Sequence, residues 1–390
     1  MQFDNFDKIK KNINEELDKR IAERNKNYYI KMKSYKKADL KKYDKNLYII
    51  ENDISINFMS IKNKDIRDKS KINKNLKIIE NSKIEYNEFM MCKFENIIFE
   101  NCTFYGTIFS NCILENVTFN KCKFFDSTYA IAIFKEKTIF KNCYFKECLM
   151  ENTIFLDSKI DNTKFVLTNL RNSILKKVYI NEINIMDCDL RAFKIVNSEI
   201  EKLEFEDDFL SKLDENTFID KIRIENNNYE KVSKVYRNIA YKFENNRLLN
   251  MAGEYYFLSK CTEHKSLKGF NKVKSYIFWI LCGYGERPTY ALITSIEIVL
   301  IFTIMYMFSG LDINGHTINY KMIILNELPV NNLIIDFMRA FYFSIVTFTT
   351  VGYGDIIPKG FSVFLSGVEM FLGVTMVGVW TATLSRKITR

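Results

Sequence analysis

FENIIFENCTFYGTIFSNCILENVTFNKCKF runs from Phe94 to Phe124, and every fifth residue in it, from Phe94 through Phe99, Phe104, Phe109, Leu114 and Phe119 to Phe124, is large and apolar. After a one-residue slip near Lys135 the series resumes at Phe140 and continues through Phe145, Met150, Phe155 and Ile160 to Ile200. Two positions before each large residue stands a compact one, such as Cys92, Cys102, Thr107, Cys112, Val117, Thr138, Ser158 or Cys188. A period of five is neither the 3.6 of an amphipathic helix nor the alternation of a strand. A solenoid that turns a corner every five residues satisfies it, with the large side chain on the axis and the small one beside it. Asn recurs near the corners (FENCTF, LENVTF), where its side chain tolerates turn geometry.

This pattern resembles the pentapeptide-repeat family over residues 81–206. The resemblance implies a right-handed quadrilateral β-helix with four repeats per coil. Some ~125 residues then give about six coils and a rod of roughly 29 Å. Tyr129 and Phe193 break the register and mark local irregularity. Seven of the nine cysteines occupy the small slot. They read as core filler, and free thiols suit a reducing compartment. Cysteines without close C-x-x-C pairs, and only two histidines, leave no zinc-like pattern, so neither a metal nor a cofactor is expected.

Charge is unevenly spread. The chain carries +9, and residues 1–80 hold 21 Lys/Arg against 13 Asp/Glu. We read 1–80 as a basic, helical N-terminal region whose tract from Lys31 to Lys45 is a solvated face rather than a site for anionic lipid or nucleic acid. Residues 81–206 carry 16 basic and 18 acidic residues, too weak a negative field for a nucleic-acid mimic, and no nucleic-acid partner is expected. No apolar segment opens the chain, which places this region in the cytoplasm.

Residues 207–273 read as a helical hairpin connector, with Val232, Val235, Tyr236, Ile239, Ala240 and Phe243 on one face and Leu248, Ala252, Tyr255 and Tyr256 on the next. Residues 274–288 read as an interfacial helix, with Tyr276 and Trp279 at headgroup level, followed by a turn, CGYGERP. Then two apolar segments, Thr289–Phe308 and Phe361–Leu384, are each long enough to cross about 30 Å of hydrocarbon. Lysines before the first and basic residues after the second put both chain ends in the cytoplasm. Asp336–Thr350 is apolar but too short to span, so it should re-enter, and irregular backbone at that depth must line a wet cavity.

That backbone is FTTVGYGDIIP, Phe348–Pro358. If Gly352 and Gly354 take positive φ, alternation of backbone hand turns successive carbonyls to one side, making a column of oxygens for a monovalent cation. Residues 289–390 resemble the pore domain of two-transmembrane bacterial potassium channels. The resemblance implies a tetramer in the bilayer, potassium as the permeant ion, and Thr350, Val351, Gly352, Tyr353 and Gly354 as the selectivity filter. It places Asp355 at the outer mouth, lets Val351 and Tyr353 point back into protein, and offers Gly373, then Gly378, as the hinge of the inner helix. Tyr342 and Phe343 stand where the family commonly has tryptophans.

Glu297 and Glu369 lie inside the apolar spans without a basic residue in either span, so both are expected to be buried, desolvated carboxyls, Glu369 behind the filter. The expected function is a potassium-selective channel subunit of the bacterial inner membrane, with a cytoplasmic repeat domain that affects gating or assembly and takes an unknown partner. The alternative is a membrane-anchored repeat scaffold with secondary cation conductance. No nucleophile, base and oxyanion set can be assembled, so an enzyme is not expected.

Overall fold

The computed structural model describes residues 6–34, 53, 55–57, 59–62, 65–66, 77–125, 131–218, 220–225, 227–313, 315–320 and 330–389. They form two compact units, Met1–Thr262 and Glu263–Arg390.

The first unit is built on a parallel β-solenoid. Each large residue of the five-residue series is buried, from Phe94 at 1% exposure to Ile200 at 1%. Coils stack with Phe89 beside Phe109 and Phe155 beside Leu175, an offset of 20 residues, or four repeats. Phenylalanines therefore fall into face-to-face columns: Phe119, Phe145 and Phe165 are spaced 4.9 and 4.8 Å apart with nearly parallel rings. Most corners place a residue at positive φ two after the large one, and Asn96, Asn101, Asn111, Asn116, Asn142 and Asn162 supply it at six of them. Their amides also bond coil to coil, Asn116 to Asn96 at 3.0 Å and Asn162 to Asn142 at 2.8 Å. The slip near Lys135 is absorbed by two consecutive positive-φ residues, Glu136 and Lys137. Tyr129 lies outside the described residues.

The small slot is more than filler. Thr107 donates to the Ile84 carbonyl at 2.6 Å, Ser173 to Met150 at 2.6 Å and Cys148 to Phe119 at 3.2 Å, so the small side chain ties its coil to the preceding one. Cysteine fits because it is compact and carries a weak donor. Burial pushes Cys143 and Cys188 up to about 12, which keeps these thiols protonated. Phe193 occupies the slot on a terminal coil, where its strand ends the sheet and its ring meets Phe218 at 5.8 Å. Beyond it the stack continues only as irregular chain: the Phe218 amide donates to the Phe193 carbonyl at 2.8 Å, and single bridges join Asp189 to Lys212 and Glu199 to Arg223.

Two boundaries differ from expectation. The solenoid does not begin at residue 81: strands at Ser55–Asn57 and Ser60–Lys62 already pair in parallel with Lys83–Glu85 and Glu88–Met90. The hairpin at 207–273 is not a separate connector. Helix α2 (Tyr229–Asn245) and helix α3 (Leu249–Ser266) share the solenoid core through Val232, Ile239, Phe243 and Tyr255. Lys242 forms a buried ion pair with Asp207, and Asn238 donates to the Leu203 carbonyl at 2.8 Å. The pair caps an end of the rod, because a stack of coils leaves its terminal apolar face open.

Helix α1 (Phe6–Ser34) lies along one face of the rod. Ile13 and Leu17 pack on Ile108, Ile133, Ile154 and Ile174, outward positions that recur once per coil. Glu16 meets Lys194 at 2.8 Å, Arg20 donates to the Asn172 carbonyl at 2.8 Å, Arg24 donates to the Gly106 carbonyl, and Lys31 lies over Tyr86. The helix thus runs against the direction in which the coils advance. Burial alone would push the Glu16 carboxyl up, but Lys194 and Arg20 outweigh it and hold it below the usual glutamate range. Its contribution is complete above the unfolded value of about 4.3 and is lost as pH falls through the lower folded value. Acidification through that window should raise hydrogen exchange in α1 before the rod amides respond, and Glu16→Gln should do so at neutral pH. Equal protection of α1 in both proteins at neutral pH would mean the apolar contacts alone hold it.

The second unit contains helix α4 (Gly269–Cys282), helix α5 (Pro288–Ser309), helix α6 (Val330–Phe348) and helix α7 (Phe361–Ile388). Helices α5 and α7 are long and apolar enough to cross a membrane. The turn CGYGERP ends α4 with Gly283 in the left-handed region and starts α5 with Pro288 at its first turn, as each residue type favours. Most of α4 is exposed, including Phe270, Val273, Tyr276, Ile277 and Phe278, the apolar surface expected of a helix at a lipid interface.

Candidate functional site

Helix α6 stops at Phe348, and the chain then runs as irregular backbone to the short strand Ile357–Pro358. Along it φ is +58° at Thr350, +60° at Gly352 and +77° at Gly354. Backbone hand therefore alternates residue by residue. That is the condition for consecutive carbonyls to face one side, since an ordinary strand sends them to opposite sides. Glycine holds two of the three positions without strain, and Thr350 accepts the third just after α6. Amides of Val351 and Thr350 bond back to the carbonyls of Val346 and Thr347, each at 3.0 Å, which fixes the inner end of the loop on the helix.

The outer end is fixed by pairing. Strand Leu311–Ile313 pairs with His316–Ile318 and, on its other edge, with Ile357–Pro358. Asp312 bonds Lys359, whose ammonium holds that carboxyl below the usual aspartate range. The Lys359 amide donates to the Gly310 carbonyl at 3.0 Å. Both ends of the loop are thus held within the one chain.

Behind the loop, α7 touches α6 at two levels. A Cβ built on Gly373 would stand 1.9 Å from the Phe348 carbonyl oxygen, so only glycine lets the backbones approach this closely. One turn earlier Glu369 is fully buried and meets two hydroxyls, Tyr306 of α5 donating to Oε2 at 2.6 Å and Ser344 of α6 at Oε1.

Comparison with known proteins matches one family in each of the two compact units. Residues 317–390 match the ion-channel family model, and residues 89–124 match the model for pentapeptide repeats. The chain joins a pentapeptide-repeat domain to an ion-channel domain. No curated protein matches it. Among solved structures it is similar to trypsin-treated QnrB1, a plasmid-mediated fluoroquinolone resistance protein, at 15% identity over 45% of this chain and 96% of that one, with a TM-score of 0.22. It is also similar to HetL, a pentapeptide repeat protein involved in heterocyst differentiation regulation from the cyanobacterium Nostoc sp., at 9% identity over 43% of this chain and 88% of that one, with a TM-score of 0.21.

In the ion-channel domain Glu297 is the residue that departs from the sequence reading. On the single chain Val351 and Tyr353 are 53% and 71% exposed, and the Tyr353 ring lies parallel to Tyr342 at 6.5 Å. Asp355 is exposed, with the Tyr342 hydroxyl beside it. Glu297 is not buried like Glu369; it sits on the exposed face of α5 with Ile293, Ile296 and Ile301, because the opposite face, Thr294, Phe302 and Tyr306, is the one that packs. Neither hinge candidate breaks α7, which is continuous from Phe361 to Ile388. Gly373 marks a close approach, and Gly378 has nothing within 4 Å of a built Cβ. Tyr306 and Ser344 escaped the sequence reading, since a lone tyrosine and a lone serine in apolar helices carry no local signal of a shared partner.

Proposed function

We propose that the protein is a potassium-selective channel subunit, four copies of which surround one pore in the bacterial inner membrane with both chain ends in the cytoplasm. The observation that carries this reading is the alternation of positive φ at Thr350, Gly352 and Gly354 within the sequence Thr-Val-Gly-Tyr-Gly. Neutral carbonyl dipoles replace the water around a potassium ion and release it again, and one loop cannot enclose the ion, so four are needed. Exposed Val351 and Tyr353 then become surfaces for the neighbouring subunits, which brace the column from outside. Asp355 concentrates cations at the outer mouth.

The repeat domain contributes to gating or assembly rather than to selectivity. Its cap belongs to the first compact unit, which ends at Thr262, so the informative deletion removes residues 1–262 and leaves no orphaned cap behind. Full-length protein in lipid vesicles should carry a potassium flux that barium blocks. The deletion should keep the preference for potassium while changing open probability or tetramer yield. Unaltered gating and assembly would make the repeat domain a scaffold, and absence of potassium flux from the full-length protein would refute the channel reading.

A further inference from the structure

Ser344 Oγ stands 2.9 Å from the Val299 carbonyl oxygen of α5 and in hydrogen-bond contact with Glu369 Oε1. A serine hydroxyl has one hydrogen, and a carbonyl can only accept. If Ser344 gave that hydrogen to Glu369, two oxygen lone pairs would face each other across 2.9 Å at Val299. Both contacts are satisfied when Ser344 donates to Val299 and the hydrogen between Ser344 and Glu369 comes from the glutamate. The second oxygen, Oε2, accepts from Tyr306 at 2.6 Å. Glu369 is 0% exposed, and no ion pair involves it among the described residues. A carboxylate here would be a buried charge with no counter-ion, which is the costly alternative.

We propose that Glu369 is a neutral carboxylic acid that ties three helices together: it donates to Ser344 on α6, Ser344 donates to Val299 on α5, and Tyr306 on α5 donates to it. The tie positions the filter. Ser344 precedes Phe348 by one turn, as Glu369 precedes Gly373, so α7 grips the pore helix at two successive turns immediately before Thr350. Glu369 is a positioning residue that touches no permeant ion, and its role rests on the channel reading above.

Glutamine separates the acid from a carboxylate. Its amide nitrogen can donate to Ser344 and its oxygen can accept from Tyr306, whereas it cannot replace a charge. In full-length protein in lipid vesicles, E369Q should keep the potassium-to-sodium permeability ratio within about twofold of the unmodified protein. E369A and S344A should lower it by about tenfold, the scale expected when a buried hydrogen-bonding group loses its partner. Infrared spectra should show a protonated-carboxyl band that disappears in E369Q, a readout that survives even if E369A fails to assemble. E369Q as damaging as E369A, E369A indistinguishable from the unmodified protein, or no carboxyl band lost in E369Q would each overturn the inference while leaving potassium conduction standing. An unmodified protein that passes sodium and potassium equally would remove the channel reading and the positioning role with it.

Discussion

Gly373→Ala is expected to lower the thermal stability of the ion-channel domain and to abolish conduction. Two effects compete. Alanine is the better helix former by about 1 kcal/mol, so a glycine kept only for bending would be stabilised by the change. At this position, however, the added methyl meets backbone: Phe348 O at 1.9 Å, its carbonyl carbon at 2.8 Å and its Cα at 3.1 Å. Ordinary contact begins at 3.4 Å, and no side-chain rotation relieves a clash with a carbonyl. Overpacking of this kind costs about 1–3 kcal/mol, often more where only backbone can move, so the steric term wins. The carbonyl that must move belongs to the last residue of the pore helix, two before Thr350, which is why conduction should fail with stability. Gly378→Ala is the internal comparison. With open space around it, it should be neutral or slightly stabilising. Thermal unfolding of the two variants side by side decides: if both gain stability, Gly373 acts as a hinge after all and the close approach is not what holds it.

The second large effect lies in the repeat domain. Phe145 is fully buried between Phe119 and Phe165, with ring centroids 4.9 and 4.8 Å away. Phe145→Ala leaves a cavity that its neighbours cannot fill, because each is fixed by its own coil. Removing a buried phenylalanine costs about 3–5 kcal/mol. In a stack where each coil contacts only its neighbours, a gap in the middle uncouples the coils on either side. The denaturant midpoint of the repeat domain should therefore fall, and the transition should broaden. Phe209→Ala, at a residue 87% exposed, should change little. A loss below about 1 kcal/mol at Phe145 would show that the columns contribute no more than surface residues do.

What could be read from the sequence follows the range of the interactions. The five-residue period is local, so the solenoid from Phe94 to Ile200 was legible. The same period is present upstream in Ile56, Ile61 and Ile66, and again in Ile79, Ile84 and Phe89, but thirteen residues separate Ile66 from Ile79, and that break in phase concealed the earlier start. Docking of α1 left a fainter trace: Ile108, Ile133, Ile154 and Ile174 stand one before a large residue on one face of four successive coils, where the other faces mix Ile98, Ile113, Ile139 and Leu149 with polar groups. A solenoid with one apolar outer face needs a cover. The helical hairpin was legible as helices, yet its role as a cap was not, because both readings require the same amphipathic face. In the ion-channel domain the filter loop was legible because it is a contiguous motif. The roles of Gly373 and Glu297 depend on which neighbour lies across the helix, and a run of apolar residues does not record that.

The central claim is selectivity, and the most direct measurement is the reversal potential of the reconstituted full-length protein with potassium on one side of the bilayer and sodium on the other. Four loops presenting aligned carbonyls predict a reversal potential displaced strongly toward the potassium equilibrium value, and its loss in Gly352→Ala, where alanine would have to hold φ near +60° in every subunit. A reversal potential at zero in the unmodified protein, with current flowing equally in both ions, would contradict the account.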